Sequence, residues 1–141
     1  MPLLQTATAT QPVPADVLYA FLADLSKHRA FLEPGALDFE GDADRHSYGL
    51  EILGMRMPQE MAVKERVPGQ RVVMVPGGRK LFDHELTFAI AADGAGCTLQ
   101  LRDQAEIPMM MAMMGAEKLL QAQLDSALAR IGALAAAGAL A

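Results

Sequence analysis

The chain has 141 residues, of which 52% are hydrophobic and 21% are charged, a composition typical of a globular domain rather than of a disordered or fibrous protein. The 12 Lys and Arg residues against 17 Asp and Glu residues give a net charge of −5, with no basic cluster, which disfavours nucleic-acid binding. The single cysteine, Cys97, excludes an internal disulfide and a multi-cysteine zinc site.

The N-terminal segment lacks the basic stretch and long apolar run of a signal peptide, and no apolar run approaches the roughly 18 residues of a membrane span. We therefore expect a cytoplasmic protein with no integral membrane segment, folded as one domain over residues 1–141. No cofactor motif or metal-ligand spacing is present, so no cofactor and no metal are expected. The absence of Asn favours a GC-rich bacterial source, and a homodimer is compatible with the sequence.

The N-terminal quarter predicts a strand followed by two short helices. Alternating Thr and Ala within Leu3–Thr10 indicate the strand. Apolar residues recur at helical spacing over Pro14–Leu25, which begins with proline in a first helical turn. Ser26 is expected to cap the second helix, Lys27–Leu32, which stops at Glu33-Pro34-Gly35.

The apolar period changes to two between residues 36 and 107, which predicts six antiparallel strands. Turns between them are expected at Arg56-Met57, Pro68-Gly69, Gly77-Gly78-Arg79 and Asp93-Gly94. One clear alternation sets Tyr48, Leu50 and Ile52 against Gly49, Glu51 and Leu53.

The last predicted element is one long helix, Met109–Ala137, with Gly138 as its C-cap. It is the only predicted element long enough to cover the buried face of the sheet, which needs a partner layer. Methionines crowd its start, and because Met is flexible and polarizable it suits an adaptable apolar binding surface. Met110, Met113 and Met114 are therefore expected to line a cavity.

Four segments carry a recognisable pattern: Pro14–Asp24, Lys27–Leu32, Val63–Arg71 and the glycine-rich turn with its strand, Asp93–Leu99. In this order they resemble the Bet v 1-like or START-like (SRPBCC) helix-grip superfamily, and within it the bacterial polyketide cyclase/dehydrase-type group. Phe31 departs from the pattern, because many members carry Trp there.

The resemblance implies an α+β helix-grip fold. Its curved seven-stranded antiparallel sheet would wrap around a long C-terminal helix, with two short helices after the first strand. It also implies a cavity between sheet and helix for a hydrophobic or amphipathic small molecule of lipid, polyketide or aromatic type. The fold alone does not set the chemistry.

His84 and Asp103 are polar residues at positions that the alternation assigns to the apolar face of the sheet. If Asp93-Gly94 are the central turn residues, His84 lies directly opposite Asp103. A longer loop places His84 opposite Ala105 and leaves Asp103 as its diagonal neighbour. Directly opposed side chains lie roughly 5 Å apart at Cβ, and the diagonal is still within reach. Both registers therefore predict that the two side chains meet.

Tyr48 and Glu65 also fall on apolar-face positions of their strands. With the turns predicted above, Tyr48 lies opposite Glu65, Glu65 opposite Val72 and Val72 opposite His84. The sequence thus predicts a single row across the sheet: Tyr48, Glu65, Val72, His84 and Asp103. A slip of one residue in any strand would destroy this row.

The first functional hypothesis is a binding module in which His84 with Asp103 anchors the polar end of a ligand. The alternative is a cyclase/dehydratase-type enzyme. There His84 would act as general base, Asp103 would fix its tautomer, and Tyr48 would donate a hydrogen bond to an enolate oxygen. A third hypothesis is a protein-interaction module, and a structural ion pair would also explain the two residues. The predicted ligand-binding residues are Tyr48, Glu65, Phe82, His84, Phe88, Leu101, Asp103, Met110, Met113 and Met114.

Overall fold

The computed structural model describes residues 3–33, 35–52 and 54–141, which form a mixed α+β fold. The strands are β1 (Leu3–Gln5), β2 (Ala9–Gln11), β3 (Leu37–Gly41), β4 (Arg45–Ile52), β5 (Met55–Val67), β6 (Arg71–Pro76), β7 (His84–Asp93) and β8 (Gly96–Ala105). The helices are α1 (Ala15–Ala23), α2 (Arg29–Leu32), α3 (Met109–Met113) and α4 (Ala116–Ala136), with a 3₁₀ turn at Leu25–His28. The expected helix stop at Pro34 and the alternating position of Leu53 lie outside the described residues.

The strands form one antiparallel sheet in the order β1–β8–β7–β6–β5–β4–β3, and β2 also pairs with β8. β1 and β2 follow one another along the same edge of β8. Their registers differ by one residue, since Leu4 lies opposite Asp103 whereas Ala9 lies opposite Leu99. The predicted strand Leu3–Thr10 is therefore two short strands. The eight strands occupy seven positions, which confirms the α+β sheet-and-helix prediction.

The two short helices pack over the sheet after β2, as the sequence predicted. α1 buries Leu18, Phe21 and Leu22 and packs against β6, β7 and β8. The cap of the following 3₁₀ turn is Asp24 rather than the predicted Ser26. The Asp24 carboxylate accepts from the Ser26 amide at 3.1 Å and from the Ser26 hydroxyl at 2.6 Å. Asp is as good a helix-capping acceptor as Ser, and here it precedes the turn.

The C-terminal helical segment is broken, although the sequence predicted one continuous helix. Gly115 has a φ of +86°, in the left-handed region, and separates α3 from α4. A left-handed residue cannot continue a right-handed helix, and glycine adopts it without steric cost. α4 keeps the predicted role of covering the sheet and buries Leu124 and Ile131. Gly138, with a φ of +70°, follows its end as predicted.

Gly115→Ala is expected to lower the free energy of unfolding by about 1–2 kcal/mol, because an L-residue in the left-handed region is strained. Gly132→Ala is the matched control inside α4. There an added Cβ would come no closer than 3.6 Å to Gln11, and we expect a gain of up to about 1 kcal/mol from helix propensity. Urea unfolding followed by circular dichroism measures both. If Gly115→Ala were more stable than the unmodified protein, α3 and α4 would be able to form one continuous helix, contrary to this interpretation.

An apolar cluster joins α1, α2 and α4 to the inner face of the sheet. Its largest fully buried members include Phe21, Phe88, Leu99 and Leu101. Among the described residues, no helix combines the length and apolar character needed to cross a membrane.

Candidate functional site

A cavity of about 460 Å³ lies between the sheet and α4. This volume is within the range of small-molecule sites, roughly 300–1,000 Å³. The lining is largely apolar: the sheet contributes Met61, Met74, Leu86, Phe88 and Leu101, and α4 contributes Leu120, Leu124 and Ala127. Six of the predicted ligand-binding residues are in the lining, namely Tyr48, Phe82, His84, Phe88, Leu101 and Asp103.

His84 and Asp103 meet inside this cavity. The Nδ1 atom of His84 lies 3.0 Å and 3.1 Å from the two carboxylate oxygens of Asp103. Both side chains are 7% exposed. His84 pairs with Ala105, and Asp103 pairs with Leu86, so the two are diagonal neighbours on one face. This is the second of the two predicted registers, because Asp93 pairs with Gly96 and the turn lies one residue later than expected.

The rest of the predicted row is wrong. Val72 lies opposite Phe88 rather than His84, because the segment between β6 and β7 is longer than the predicted three-residue loop. Tyr48 lies opposite Gln59 rather than Glu65, because β4 ends at Ile52 and β5 begins at Met55. The predicted Arg56-Met57 turn is therefore part of β5.

Glu65 does not face the cavity. The pairing of β5 with β6 shifts by one residue between Val63 and Glu65, so a bulge moves Glu65 to the opposite face from Val63. Glu65 pairs with Val73, which is adjacent to the inward-facing Val72, and its carboxylate forms an exposed ion pair with Arg71. The structure thus overturns the cavity position predicted for Glu65.

Met110, Met113 and Met114 do not line the cavity either. They are 76%, 81% and 56% exposed, and α3 has no buried residue. The break at Gly115 accounts for this, because it separates the methionines from the inward stripe of α4.

Gln59 is the site residue that the sequence interpretation missed. Its Nε2 atom lies 2.9 Å from Nε2 of His84 and 3.4 Å from Sδ of Met61. β6 lies between β5 and β7 but ends at Pro76, opposite Met61, so no paired strand separates Gln59 from His84. The alternation of Gln59 with Met61 and Val63 is a signal that could have found it, once β5 was extended past Pro58.

The hydrogen bonds of this cluster fix the orientation of its groups. Nδ1 of His84 carries a proton, because the Asp103 carboxylate beside it can only accept. Nε2 of His84 accepts, because the Gln59 amide nitrogen that faces it can only donate. The sulfur of Met61 is a second acceptor for the same amide nitrogen. Oε1 of Gln59 is then left buried with no hydrogen-bond partner among the described residues.

Tyr48 lines the cavity directly across the β4–β5 pair from Gln59. Burial is the main cause that raises the pKa of its hydroxyl, and the negative charge of Asp103 raises it further. Tyr48 is therefore a neutral hydroxyl in the folded protein.

Two further histidines, His28 and His46, also line the cavity. Nε2 of His28 donates to the carbonyl of Leu22 at 2.8 Å, so its Nδ1 accepts from Nε2 of His46 at 3.3 Å. Burial lowers the pKa of His28 to about 3, assisted by His46, and burial lowers the pKa of His46 to about 4. Both rings are neutral near pH 7.

No group of three or more His, Cys, Asp or Glu side chains within the described ranges is arranged to hold a metal ion.

The open antiparallel sheet, the long C-terminal helix and the cavity between them define a START-like helix-grip fold. The protein TTHA0849 from Thermus thermophilus superposes with a TM-score of 0.78 at 18% identity, over 97% of this chain and 99% of the other. A START superfamily protein from Mycobacterium smegmatis gives a TM-score of 0.77 at 14% identity, over 96% and 97% of the chains.

The di-domain ARO/CYC protein StfQ from the steffimycin biosynthetic pathway gives a TM-score of 0.72 at 16% identity. The match covers 97% of this chain but 52% of StfQ. No protein-family model and no curated protein matches the sequence. At these identities the structural likeness establishes the fold.

Proposed function

We propose that the protein binds a hydrophobic or amphipathic small molecule in the cavity between the sheet and α4. The observation that supports this proposal most directly is the cavity of about 460 Å³, whose largely apolar lining includes the buried polar cluster of Gln59, His84 and Asp103. An apolar pocket with a few convergent polar groups is the usual form of a small-molecule site. The solved START superfamily and ARO/CYC neighbours support this proposal by their fold.

In this function the polar cluster anchors one end of the ligand. Asp103 holds His84, and His84 accepts from Gln59, so the side chains are fixed before the ligand arrives. Preorganised groups lower the ordering cost of binding.

A second candidate is an enzyme of the cyclase/dehydratase type with His84 as general base, and the His84–Asp103 hydrogen bond favours it. A base needs a free lone pair directed at the substrate. Here the Nε2 lone pair of His84 accepts from Gln59, so catalysis would require Gln59 to move. Once a ligand is identified, His84→Ala separates the two functions: loss of turnover with retained binding supports the enzyme, and loss of binding alone supports the carrier.

Filling part of the cavity is expected to weaken ligand binding. Ala127 lines the cavity from α4, whereas Ala129 is exposed on the same helix. We expect Ala127→Phe to weaken binding of the neutral dye N-phenyl-1-naphthylamine at least about tenfold, because the new ring occupies the ligand volume. Ala129→Phe should leave dye affinity unchanged, and dye fluorescence measures both. Equal affinities in the two variants, or no binding by the unmodified protein, would contradict the proposed function.

A further inference from the structure

Two buried polar atoms of the cavity lining have no hydrogen-bond partner among the described residues, Nδ1 of His46 and Oε1 of Gln59. Of the two, Oε1 of Gln59 belongs to the cluster that contains His84 and Asp103. Gln59 is 7% exposed, and its Oε1 has no hydrogen-bond partner among the described residues. The amide cannot turn over without cost, because its nitrogen faces two acceptors, Nε2 of His84 and Sδ of Met61. A buried acceptor without a partner is costly, so a ligand that donates to it gains selectivity over one that does not.

The Tyr48 hydroxyl is the polar group that we expect to act together with Oε1 of Gln59 in binding a ligand. Tyr48 and Gln59 are direct cross-strand partners, and such side chains start roughly 5 Å apart at Cβ. The hydrogen bonds of the cluster join Gln59, His84 and Asp103, and none of them uses the Tyr48 hydroxyl. A hydroxyl both donates and accepts, so it can serve the oxygen of a ligand.

The charge of the cluster disfavours an anionic ligand group at this point. The Asp103 side chain is 7% exposed, and its carboxylate lies against Nδ1 of His84. Arg130 also lines the cavity, but its guanidinium donates to main-chain carbonyls at the end of α2. A ligand carboxylate at this point would be repelled both by the amide oxygen of Gln59 and by the negative charge of Asp103.

We propose that the cavity selects a neutral apolar ligand carrying a hydroxyl group, a phenol or an alcohol, whose O–H donates to Oε1 of Gln59 and whose oxygen accepts from the Tyr48 hydroxyl. An ether or an alkyl group has no proton to donate, so it leaves Oε1 of Gln59 unpaired. A ketone oxygen can accept from the Tyr48 hydroxyl but likewise donates no hydrogen bond to Gln59. This inference rests on the proposed function and adds the chemical class of the ligand.

The preference for a hydroxyl-bearing ligand can be tested with three naphthalene probes that differ only in one substituent: the phenol 2-naphthol, the ether 2-methoxynaphthalene and the carboxylate 2-naphthoate. Isothermal titration calorimetry at pH 7 measures the affinity of each probe. We expect 2-naphthol to bind about tenfold more tightly than the ether, because only the phenol satisfies Gln59, and 2-naphthoate to bind most weakly. Gln59→Met should reduce the preference for the phenol over the ether to less than about threefold. Tyr48→Phe should weaken the phenol and the ether by a similar factor, because the oxygen of each probe accepts from the Tyr48 hydroxyl. Met74→Leu, on the apolar wall, should change all three affinities by a similar factor.

Equal binding of phenol and ether by the unmodified protein, or tighter binding of the carboxylate, would overturn the inference while leaving the proposed function standing. A phenol preference that survives in Gln59→Met would also overturn it, and so would a phenol affinity that is unchanged in Tyr48→Phe. If none of the three probes binds, the proposed function fails and the inference fails with it. If Gln59→Met does not fold, the ratio of phenol to ether affinity in the unmodified protein and the loss of phenol affinity in Tyr48→Phe carry the test.

Discussion

Lowering the pH from 7 to 5 is expected to reduce the free energy of unfolding by about 4 kcal/mol, with His28 and His46 contributing about 2 kcal/mol each. Both rings are buried, and the pKa of His28 is lowered to about 3 and that of His46 to about 4. The unfolded chain takes up protons at its histidines below about pH 6.5. The folded protein does not, so acid favours the unfolded state.

The direction of this effect follows from the lowered pKa values. The free energy of unfolding rises with pH wherever the unfolded state binds more protons than the folded state. For His46 this holds between about pH 4 and pH 6.5, and for His28 between about pH 3 and pH 6.5. Asp24 and Glu60 also have lowered pKa values and act in the same direction. Their ordinary values are 3.8 and 4.5, so most of their effect falls below pH 5.

Urea unfolding between pH 7 and pH 5 tests this prediction, and His46→Gln is the variant to compare. The glutamine amide can still donate to Nδ1 of His28, but it does not titrate. We expect the pH slope of stability to fall by about half in His46→Gln, whatever its stability at pH 7. Parallel slopes in the two proteins, or a stability that stays flat down to pH 5, would contradict the account of the buried histidine pair.

Asp103→Leu is expected to lower the free energy of unfolding by about 1–3 kcal/mol. Asp103 is 5% exposed, and both of its carboxylate oxygens face Nδ1 of His84. Leucine removes the acceptor and leaves a buried N–H donor with no partner. The cost is the desolvation of that donor, which hydrophobic packing of leucine offsets only in part.

Two substitutions serve as controls for Asp103→Leu. Asp103→Asn keeps an oxygen that can accept from His84, so its cost should be clearly smaller. Glu85→Gln breaks an exposed ion pair with Lys64, and there we expect a change within about 0.5 kcal/mol. If Asp103→Leu were no more destabilising than Glu85→Gln, the pair would not be the buried, preorganised unit described above.

The His84–Asp103 contact could be predicted because it tolerates an error in the turn. When the β7–β8 turn moves by one residue, His84 and Asp103 change from directly opposite to diagonal neighbours. In both arrangements the two side chains lie on the same face of the sheet and within reach of each other. Period-two alternation alone therefore placed the two residues together. The order of the helices and strands was predictable for a similar reason, because each segment kept one apolar period over many residues.

Positions that depend on a single residue count could not be predicted. One bulge residue between Val63 and Glu65 sends Glu65 to the outer face, and nothing in the local sequence marks a bulge there. Gln59 was not recognised as a cavity residue because the predicted turn at Arg56-Met57 paired Tyr48 with Glu65 instead of with Gln59. The methionines followed the helical period, but Gly115 ends that period in a left-handed conformation.

Native mass spectrometry of the purified protein, with denaturing extraction of bound material, asks whether the cavity holds a small molecule. We expect a co-purifying apolar molecule that is released on unfolding and is lost in Ala127→Phe but retained in Ala129→Phe. An empty protein that also fails to take up added N-phenyl-1-naphthylamine would contradict the proposed function. The cavity of about 460 Å³ would then be a packing defect rather than a binding site.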